Sequence, residues 1–222
     1  MSFISKQLVS WHKLHGRHQL PWQQTKNPYA IWVSEIMLQQ TQVSTVIEYY
    51  KNFMQRFPDI EKLASAEIDD VNECWSGLGY YSRARNLHAS ARIILQKYNG
   101  IFPKKYEKIL ELPGIGRTTA GAICSFAYGK NYPILDGNVK RVFTRFYGIK
   151  EWPGKTKVEK ELWKIADMNL PIRGIEIYNQ ALMDLGASLC SRGKPQCSEC
   201  PLSQACKSFL NNWTKLIPAS KP

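Results

Sequence analysis

The sequence predicts an all-α protein. Apolar residues recur every three or four positions through most of the chain, which is the period of an amphipathic helix. No segment has a convincing alternation of apolar and polar residues, the pattern of a half-buried strand. Proline and glycine turns separate the helical stretches. With 222 residues and 44% hydrophobic content, the chain is long enough to build one large core or two small ones.

The predicted helices follow in chain order. Asn27 and Pro28 supply a cap and a first-turn proline for a helix that starts there. The two clearest amphipathic patterns span 43–57 and 84–98, and they stop at a proline and a glycine. The remaining predicted helices span 69–75, 105–111, 117–128, 138–147, 156–168 and 175–189.

The charge balance indicates a polyanionic partner. Lys and Arg total 30 against 18 Asp and Glu, which gives a net charge of +12. Nucleic acid is the first candidate and an acidic membrane surface the second, because neutralised phosphates release counterions. Residues 1–19 resemble neither a signal peptide nor a transit sequence, and no apolar run has membrane-spanning length. We therefore expect a soluble protein of a reducing compartment, without a membrane partner.

The cysteine spacing predicts a cofactor. Four cysteines lie within seventeen residues of one another: Cys190, Cys197, Cys200 and Cys206. Four thiolates at short, unequal spacings in a proline- and glycine-rich loop favour an iron–sulfur cluster. The alternatives are a zinc site, which usually has two Cys-x2-Cys pairs where this chain has one, and a pair of disulfides. Cys74 and Cys124 lie in apolar helical patterns and are expected to be small buried hydrophobes.

One interhelical turn has the composition of a phosphate-binding hairpin. The segment Leu112-Pro113-Gly114-Ile115-Gly116 lies between two predicted helices. Gly114 and Gly116 allow positive φ and a close approach of the backbone, so the amides at the start of the second helix can converge on a phosphate. An ordinary turn is the alternative. The flanking helices, the hydroxyls of Thr118 and Thr119, and the basic charge favour a helix-hairpin-helix motif.

The order of these motifs resembles a known family. The hairpin, then Leu135-Asp136-Gly137-Asn138-Val139, then the four cysteines, resemble the helix-hairpin-helix DNA glycosylases that carry an iron–sulfur cluster. Residues 32–43, 77–81 and 134–142 are similar to the adenine DNA glycosylases (MutY), which remove adenine mispaired with 8-oxoguanine. The resemblance covers roughly residues 11–213. It implies a [4Fe–4S] cluster, double-stranded DNA with an adenine mispair as the partner, a monomer, and a bacterial cytoplasmic, nucleoid-associated location.

The resemblance also implies an architecture. A six-helix barrel subdomain that includes the hairpin would span 22–133, and an iron–sulfur cluster subdomain would combine 1–21 with 134–222. The two would flank a DNA-binding cleft, with Asp136 opposite Glu35. The family's 8-oxoguanine-reading domain would lie beyond Pro222, so the chain is either an excised core or a short homologue.

Two carboxyl groups are the predicted catalytic pair. Cleavage of an N-glycosidic bond needs an acid that protonates the leaving base and a carboxylate that stabilises the sugar cation. Glu35 has apolar neighbours, which are expected to raise its pKa and keep it protonated. Asp136 precedes a helix whose amides are expected to keep it ionised. Taken singly, each could be a solvent-facing glutamate or a plain N-cap aspartate.

The remaining site residues are assigned by resemblance. Gln40 and Tyr80 match positions that wedge into the duplex when the base is extruded. The resemblance places Trp22, Leu38 and Gln180 in the base pocket beside Glu35 and adds Thr118 and Asn138 as further substrate-binding residues. The predicted phosphate contacts are Gly114, Gly116 and Lys140. His18 replaces the family's usual Arg or Lys and is given no fixed role.

Thr118 separates two kinds of glycosylase. Bifunctional glycosylase-lyases carry a lysine at this hairpin position, whose amine forms a Schiff base with the sugar, and threonine cannot do so. A monofunctional glycosylase is therefore expected. The alternatives are a thymine or oxidised-pyrimidine glycosylase on the same scaffold, a non-catalytic DNA-binding module and an electron carrier. Product analysis separates them.

Overall fold

The computed structural model describes residues 2–221, and these residues form helices and turns without a β-strand. The α-helices are α1 (Phe3–His15), α2 (Pro28–Met37), α3 (Val43–Arg56), α4 (Ile60–Ser65), α5 (Ile68–Cys74), α6 (Ser82–Tyr98), α7 (Tyr106–Leu110), α8 (Arg117–Tyr128), α9 (Gly137–Tyr147), α10 (Thr156–Met168), α11 (Ile175–Ala187) and α12 (Lys207–Leu210). Short 3₁₀ turns occur at Pro21–Gln24, Cys197–Glu199 and Ser203–Ala205. The all-α prediction is confirmed.

Local sequence signals account for most helix boundaries. α8 and α10 have the predicted bounds, and α2 starts with Pro28 after Asn27, whose side chain accepts from the Tyr29 amide at 2.9 Å. The sequence pattern did not predict α4, because six residues are too few to establish a helical period. Its start is nevertheless fixed locally, since Asp59 accepts from the Lys62 amide at 2.8 Å.

The chain divides into two compact units. One is His18–Tyr128, called here the central unit, and the described residues before and after it form the terminal unit. The predicted barrel and cluster subdomains, with boundaries at residues 21 and 133, stay predictions. No helix among residues 2–221 has both the length and the apolar character needed to cross a bilayer.

The central unit is built around aromatic side chains. α2 packs against α3, α6 and α8, while α6 also packs against α4 and α5. Trp32, Phe53 and Trp75 are fully buried, and the rings of Phe53 and Trp75 lie edge to face with centroids 6.0 Å apart. Burial of each such side chain stabilises the fold by about 2–3 kcal/mol. α2 is therefore held by packing on several sides.

In the terminal unit, α11 packs against α1 and α9, and α9 also contacts α10 and α12. Gly186 permits an especially close approach of α9 to α11. A Cβ atom at this position would lie 2.6 Å from the Cβ of Asn138 and 3.1 Å from its Cα. The absence of a side chain at Gly186 thus fixes how near the start of α9 comes to α11.

Candidate active site

Glu35 lies on an otherwise buried stretch of α2. The other residues from Tyr29 to Met37 are all buried, whereas Glu35 is partly exposed. Trp32 and Val33, which lie three and two residues before Glu35, have no solvent exposure. The Glu35 carboxyl group therefore lies at the edge of an apolar helix, and its role as a proton donor stays a prediction.

Asp136 is the N-cap of α9. Its carboxylate accepts from the Val139 amide at 2.8 Å and from the Asn138 side-chain amide at 3.3 Å. Burial nevertheless raises the pKa of the Asp136 carboxyl above its ordinary value, although these two hydrogen bonds oppose the shift. The sequence predicted a carboxyl kept ionised by helix amides. Those amides are present, but desolvation has the larger effect.

A hydrogen-bonded chain joins Asp136 to the cysteine loop. Asn138, which donates to Asp136, accepts from Arg141 Nη2 at 2.7 Å. The same nitrogen donates to the Gly186 carbonyl at 2.6 Å, and Arg141 Nε donates to the Cys190 carbonyl at 2.8 Å. The start of α9 and the first cysteine are thereby held by one guanidinium group.

The four cysteines of the loop face a common space. Cys190, Cys197, Cys200 and Cys206 all line one pocket together with apolar residues and Arg145. Burial raises the pKa of Cys200 to about 12, so this side chain is a neutral thiol unless a metal stabilises its thiolate. Within residues 2–221 no three His, Cys, Asp or Glu side chains are gathered closely enough to hold a single metal ion.

The buried side chain of Arg145 binds several backbone carbonyls of the cysteine loop and of the C-terminal segment. It is 3% exposed and donates to the carbonyls of Ser191 at 2.7 Å, Arg192 at 3.2 Å and Ile217 at 2.8 Å. Its Nη1 also lies 3.5 Å from the Cys190 Sγ. A fixed positive charge therefore lies beside one of the four sulfur atoms that line the pocket.

The two remaining cysteines differ from each other. Cys124 is fully buried in α8, as the apolar pattern predicted. Cys74 is only half-buried at the end of α5, so the prediction of a buried side chain is wrong for it. α5 has just seven residues, and only Val71 among them is buried.

Gln40 and Tyr80, the predicted wedge residues, share an unusual backbone conformation. Their φ angles are 59° and 51°, in the left-handed region that favours glycine. Gln40 is exposed and Tyr80 is 62% exposed. Each left-handed non-glycine residue costs about 1–2 kcal/mol, so surrounding contacts must hold both turns.

Arg83 makes those contacts. Its side chain, 7% exposed, donates through Nη1 to the carbonyls of Met37 at 2.7 Å and Gln39 at 2.6 Å. Through Nη2 it donates to the carbonyls of Leu78 and Gly79, each at 3.1 Å. One buried cation therefore binds the turn that carries Gln40 and the turn that carries Tyr80.

The predicted base-pocket residues lie in both units. Trp22 is 7% exposed, and its ring packs edge to face on Tyr50 with centroids 5.4 Å apart. Leu38 is half-buried at the end of α2. Gln180 lies half-buried on α11 and donates to Asp184 at 2.9 Å. In the central unit, the His18 carbonyl accepts a hydrogen bond from Gln24 Nε2 at 2.7 Å.

The hairpin joins α7 to α8. Gly114 has a φ of 77°, and a Cβ there would lie 2.8 Å from the Cβ of Asn86, so both geometry and space require glycine. Gly116 is outside the left-handed region, and its carbonyl accepts from the Ala120 amide at 2.9 Å. Thr118 is half-buried in the first turn of α8. Positive φ is therefore needed at the first glycine alone.

Lys140 is already paired. Its Nζ lies 2.7 Å from Glu159 Oε1 of α10, and its side chain is 24% exposed. A phosphate contact by this lysine would compete with that carboxylate.

Sequence reasoning did not single out four of the residues that organise these regions: Arg83, Arg141, Arg145 and Asp184. Charged residues on helices usually face solvent. A signal was available for two of them, since Arg83 is four residues before buried Leu87 and Arg145 is three residues after buried Val142. A charged residue in register with an apolar face indicates a buried, partnered charge.

The chain is similar in sequence to proteins of DNA repair. The sequence profile described as "HhH-GPD superfamily base excision DNA repair protein" matches residues 33–168. A curated protein of Buchnera aphidicola subsp. Baizongia pistaciae, named adenine DNA glycosylase, is 51% identical over 92% of this chain and 58% of its own length. The human protein of that name is 43% identical over 90% of this chain and 38% of its own length. The chain thus spans less than two thirds of these relatives.

A third relative and two solved structures extend the comparison. The adenine DNA glycosylase of Mycolicibacterium smegmatis is 38% identical over 91% of this chain and 69% of its own length. A thermostable thymine-DNA glycosylase has a TM-score of 0.85 and 28% identity, with 93% of this chain and 95% of that chain covered. Endonuclease III in a non-covalent DNA complex shares the fold, with a TM-score of 0.80, 21% identity and 95% of each chain covered. The chain therefore belongs to the HhH-GPD superfamily of base excision DNA repair proteins and, within it, to the adenine DNA glycosylase family.

Proposed function

We propose that this chain excises adenine mispaired with 8-oxoguanine or guanine in duplex DNA by hydrolysing the N-glycosidic bond. The observation that carries the proposal is the pair of carboxyl groups with contrasting surroundings. Glu35 is partly exposed on an otherwise buried stretch of α2, and Asp136 is desolvated at the start of α9. Among relatives named adenine DNA glycosylase, identities of 38–51% support adenine as the base.

The two carboxyls have different roles in this reaction. Glu35 gives its proton to the departing base, so the base leaves as a neutral molecule. Asp136, as a carboxylate, stabilises the positive charge that develops on the sugar, and water then adds to the anomeric carbon. Desolvation makes this attraction stronger than it would be in water, because the effective dielectric constant near Asp136 is low.

The remaining predicted contacts bind and open the duplex. Gln40 and Tyr80, on exposed left-handed turns, insert where the adenine leaves the stack. The predicted base contacts are Trp22, Leu38 and Gln180, and Asn138 is a further predicted substrate contact. The backbone at Gly114 and Gly116, the start of α8 at Thr118, and Lys140 contact phosphates, and the net charge of +12 adds a general attraction to DNA. We expect a monomer that associates with the nucleoid.

The cysteine pocket supports a [4Fe–4S] cluster bound by Cys190, Cys197, Cys200 and Cys206. Four thiol groups lining one pocket, with the Arg145 guanidinium beside Cys190, form a donor set suited to iron. When bound, the cluster would cross-link the loop. Exposed Arg192, Lys194 and Lys207 on this loop would then be held in fixed positions for DNA phosphates.

Base release from duplexes that differ only in their mispair tests the function. Single-turnover rates are measured with adenine opposite 8-oxoguanine, adenine opposite guanine, and thymine opposite guanine. We expect release of adenine alone, with an abasic strand that breaks only after alkali, because Thr118 has no amine. Glu35→Gln should lower the rate by about 10²–10⁴-fold, with little loss of duplex affinity. Glu48→Gln, at an exposed position on α3, is the matched control.

A thymine glycosylase is the second candidate, favoured by the structural likeness at 28% identity. Release of thymine but not adenine would establish that activity instead. Binding of all three duplexes without release of any base would establish a non-catalytic DNA-binding module.

A further inference from the structure

A buried carboxylate lies one helical turn after Gln180. Asp184 on α11 is 3% exposed and accepts from the Arg17 amide at 2.8 Å and from Arg17 Nε at 2.7 Å. His12 Nε2 of α1 lies 3.2 Å from Asp184 Oδ2. Gln180 Nε2 donates to Asp184 Oδ1 at 2.9 Å. Three side chains and one backbone amide therefore converge on a single carboxylate.

Asp184 can only accept hydrogen bonds at neutral pH. Burial alone would raise its pKa, but the hydrogen bonds from His12 and Arg17 hold the pKa of this carboxyl below its usual range. An ionised carboxylate has no proton to donate. The side-chain amide of Gln180 must therefore turn its NH₂ group toward Asp184.

The orientation of the Gln180 amide follows. With Nε2 facing Asp184, the carbonyl oxygen Oε1 is on the opposite side of the amide group. No hydrogen bond to Oε1 occurs within residues 2–221, and the side chain is half-buried. Gln180 thus presents a hydrogen-bond acceptor on the side away from Asp184, because Asp184 holds the NH₂ group on its own side.

We infer that Asp184 is a positioning residue that locks the Gln180 amide with Oε1 toward the extruded base, so that the pocket selects a 6-amino purine over a 6-oxo purine. The inference rests on the proposed function, in which Gln180 contacts the base. The 6-amino group of adenine donates a hydrogen bond to Oε1. The 6-oxo group of hypoxanthine is an acceptor and faces Oε1 with like partial charges.

Hypoxanthine is a suitable probe because it differs from adenine at position 6, where an oxo group replaces the amino group, and otherwise only by the proton on the adjacent N1. Both bases carry the same imidazole ring, whose N7 can take a proton as the base leaves. A changed preference between them therefore reports on the groups that face the edge of the base formed by position 6 and N1. The two N-glycosidic bonds differ in intrinsic lability, but this difference cancels when the ratio of the two excision rates is compared between variants.

A purely structural role for Asp184 makes a different prediction. Asp184 also connects His12 and Arg17 to α11, so its loss could loosen the terminal unit as a whole. Such loosening would lower the rates for adenine and hypoxanthine by similar factors. A change in their ratio requires that the amide itself has turned.

The experiment compares excision of adenine and hypoxanthine, each opposite 8-oxoguanine, under single-turnover conditions. In Asp184→Asn the new amide can donate to Gln180, so Gln180 is free to turn its NH₂ group toward the base. We expect the adenine-to-hypoxanthine ratio to fall by about tenfold or more. His12→Gln is the matched control, because it alters the same cluster while Asp184 stays a carboxylate, and its ratio should equal that of the unmodified protein.

A double variant tests the mechanism by restoration. In Gln180→Glu with Asp184→Asn, the glutamate can only accept, and the asparagine can donate to it. We expect the preference for adenine to return toward that of the unmodified protein. A ratio that stays as low as in Asp184→Asn would count against amide orientation as the cause.

The outcomes separate the inference from the proposed function. Release of neither base by the unmodified protein overturns the proposed function. Release of adenine with an equal ratio in Asp184→Asn overturns the inference and assigns Asp184 a structural role. If Asp184→Asn does not fold, NMR of the unmodified protein decides. The Gln180 Nε2 protons should exchange with water more slowly than those of exposed Gln96, and equally fast exchange would overturn the inference.

Discussion

Arg83 Nη1 donates to the Gln39 carbonyl at 2.6 Å, and its Nη2 donates to the Gly79 carbonyl at 3.1 Å. These two carbonyls immediately precede Gln40 and Tyr80, the exposed residues with left-handed backbones. A guanidinium group is planar and has donors on several sides, so it can bind both turns at once. The conformations of the two predicted wedges are therefore coupled through one buried side chain.

Replacing Arg83 by lysine should uncouple them. A lysine ammonium is a single point with three donors, so it cannot reach both sets of carbonyls in the same geometry. We expect the free energy of unfolding to fall by about 2–4 kcal/mol, because buried carbonyls lose their donors. Adenine extrusion, followed by 2-aminopurine fluorescence beside the mispair, should weaken as well.

Arg85→Lys is the control for this variant, since Arg85 lies exposed on the same helix. It should leave stability and extrusion unchanged. An Arg83→Lys protein with normal extrusion would mean that the two turns keep their conformations without the shared guanidinium.

Periodicity predicted most of the longer helices, but it predicted neither the short helix α4 nor these contacts. The bounds of α8 and α10 and the cap at Asn27 follow from local signals, which act within a few residues. Arg83 binds carbonyls 44–47 residues earlier in the chain, and no local rule encodes such a pairing.

For the same reason, the sequence predicted only part of what determines the pKa of Asp136. Its place before a helix correctly predicted the bond to the Val139 amide. The desolvation that dominates its pKa comes from burial in the folded structure, which a sequence motif does not contain. Conversely, Cys74 was expected to be buried because its neighbours are apolar, yet the short helix α5 leaves it half-exposed.

Asp136→Asn should stabilise the protein while it removes activity. A raised carboxyl pKa means that the folded state binds a proton more tightly than the unfolded chain. The free energy of unfolding therefore falls as the pH rises from about 4 through the folded-state pKa. Asparagine can still cap α9 but carries no charge. At neutral pH the variant should melt higher, by about 2–4 °C for each kcal/mol of relief.

Thermal unfolding as a function of pH measures this effect. The advantage of Asp136→Asn should shrink toward pH 4 and vanish below it, where both states are protonated. Asp59→Asn is the matched control, since Asp59 is an exposed N-cap with an equivalent amide bond at 2.8 Å. An Asp136→Asn protein that melts lower at neutral pH would contradict the assigned desolvation.

Cys197→Ala should remove a bound cluster. Purified protein is expected to be brown and to contain iron and sulfide. The alanine variant should lose both, together with affinity for duplex DNA, because the loop that carries Arg192 and Lys194 is no longer held. Cys74→Ala, outside the cysteine pocket, should keep its iron. Stoichiometric zinc in freshly isolated protein would contradict the iron assignment.

Gly186→Ala should disturb the active site from the opposite side of α9. The added Cβ would meet the Cβ of Asn138 at 2.6 Å and its Cα at 3.1 Å, and a backbone atom cannot move aside as a flexible side chain does. The start of α9 must shift, and Asp136 with it. Because a displacement of about 1 Å at a reacting group can cost roughly 10²-fold in rate, adenine release should fall far more than stability.

Gly193→Ala, where an added Cβ meets no atom within 4 Å, is the control and should have neither effect. Single-turnover rates and thermal unfolding of both variants give the comparison. Normal adenine release by Gly186→Ala would mean that α9 tolerates the shift and that Asp136 is not positioned by this close approach.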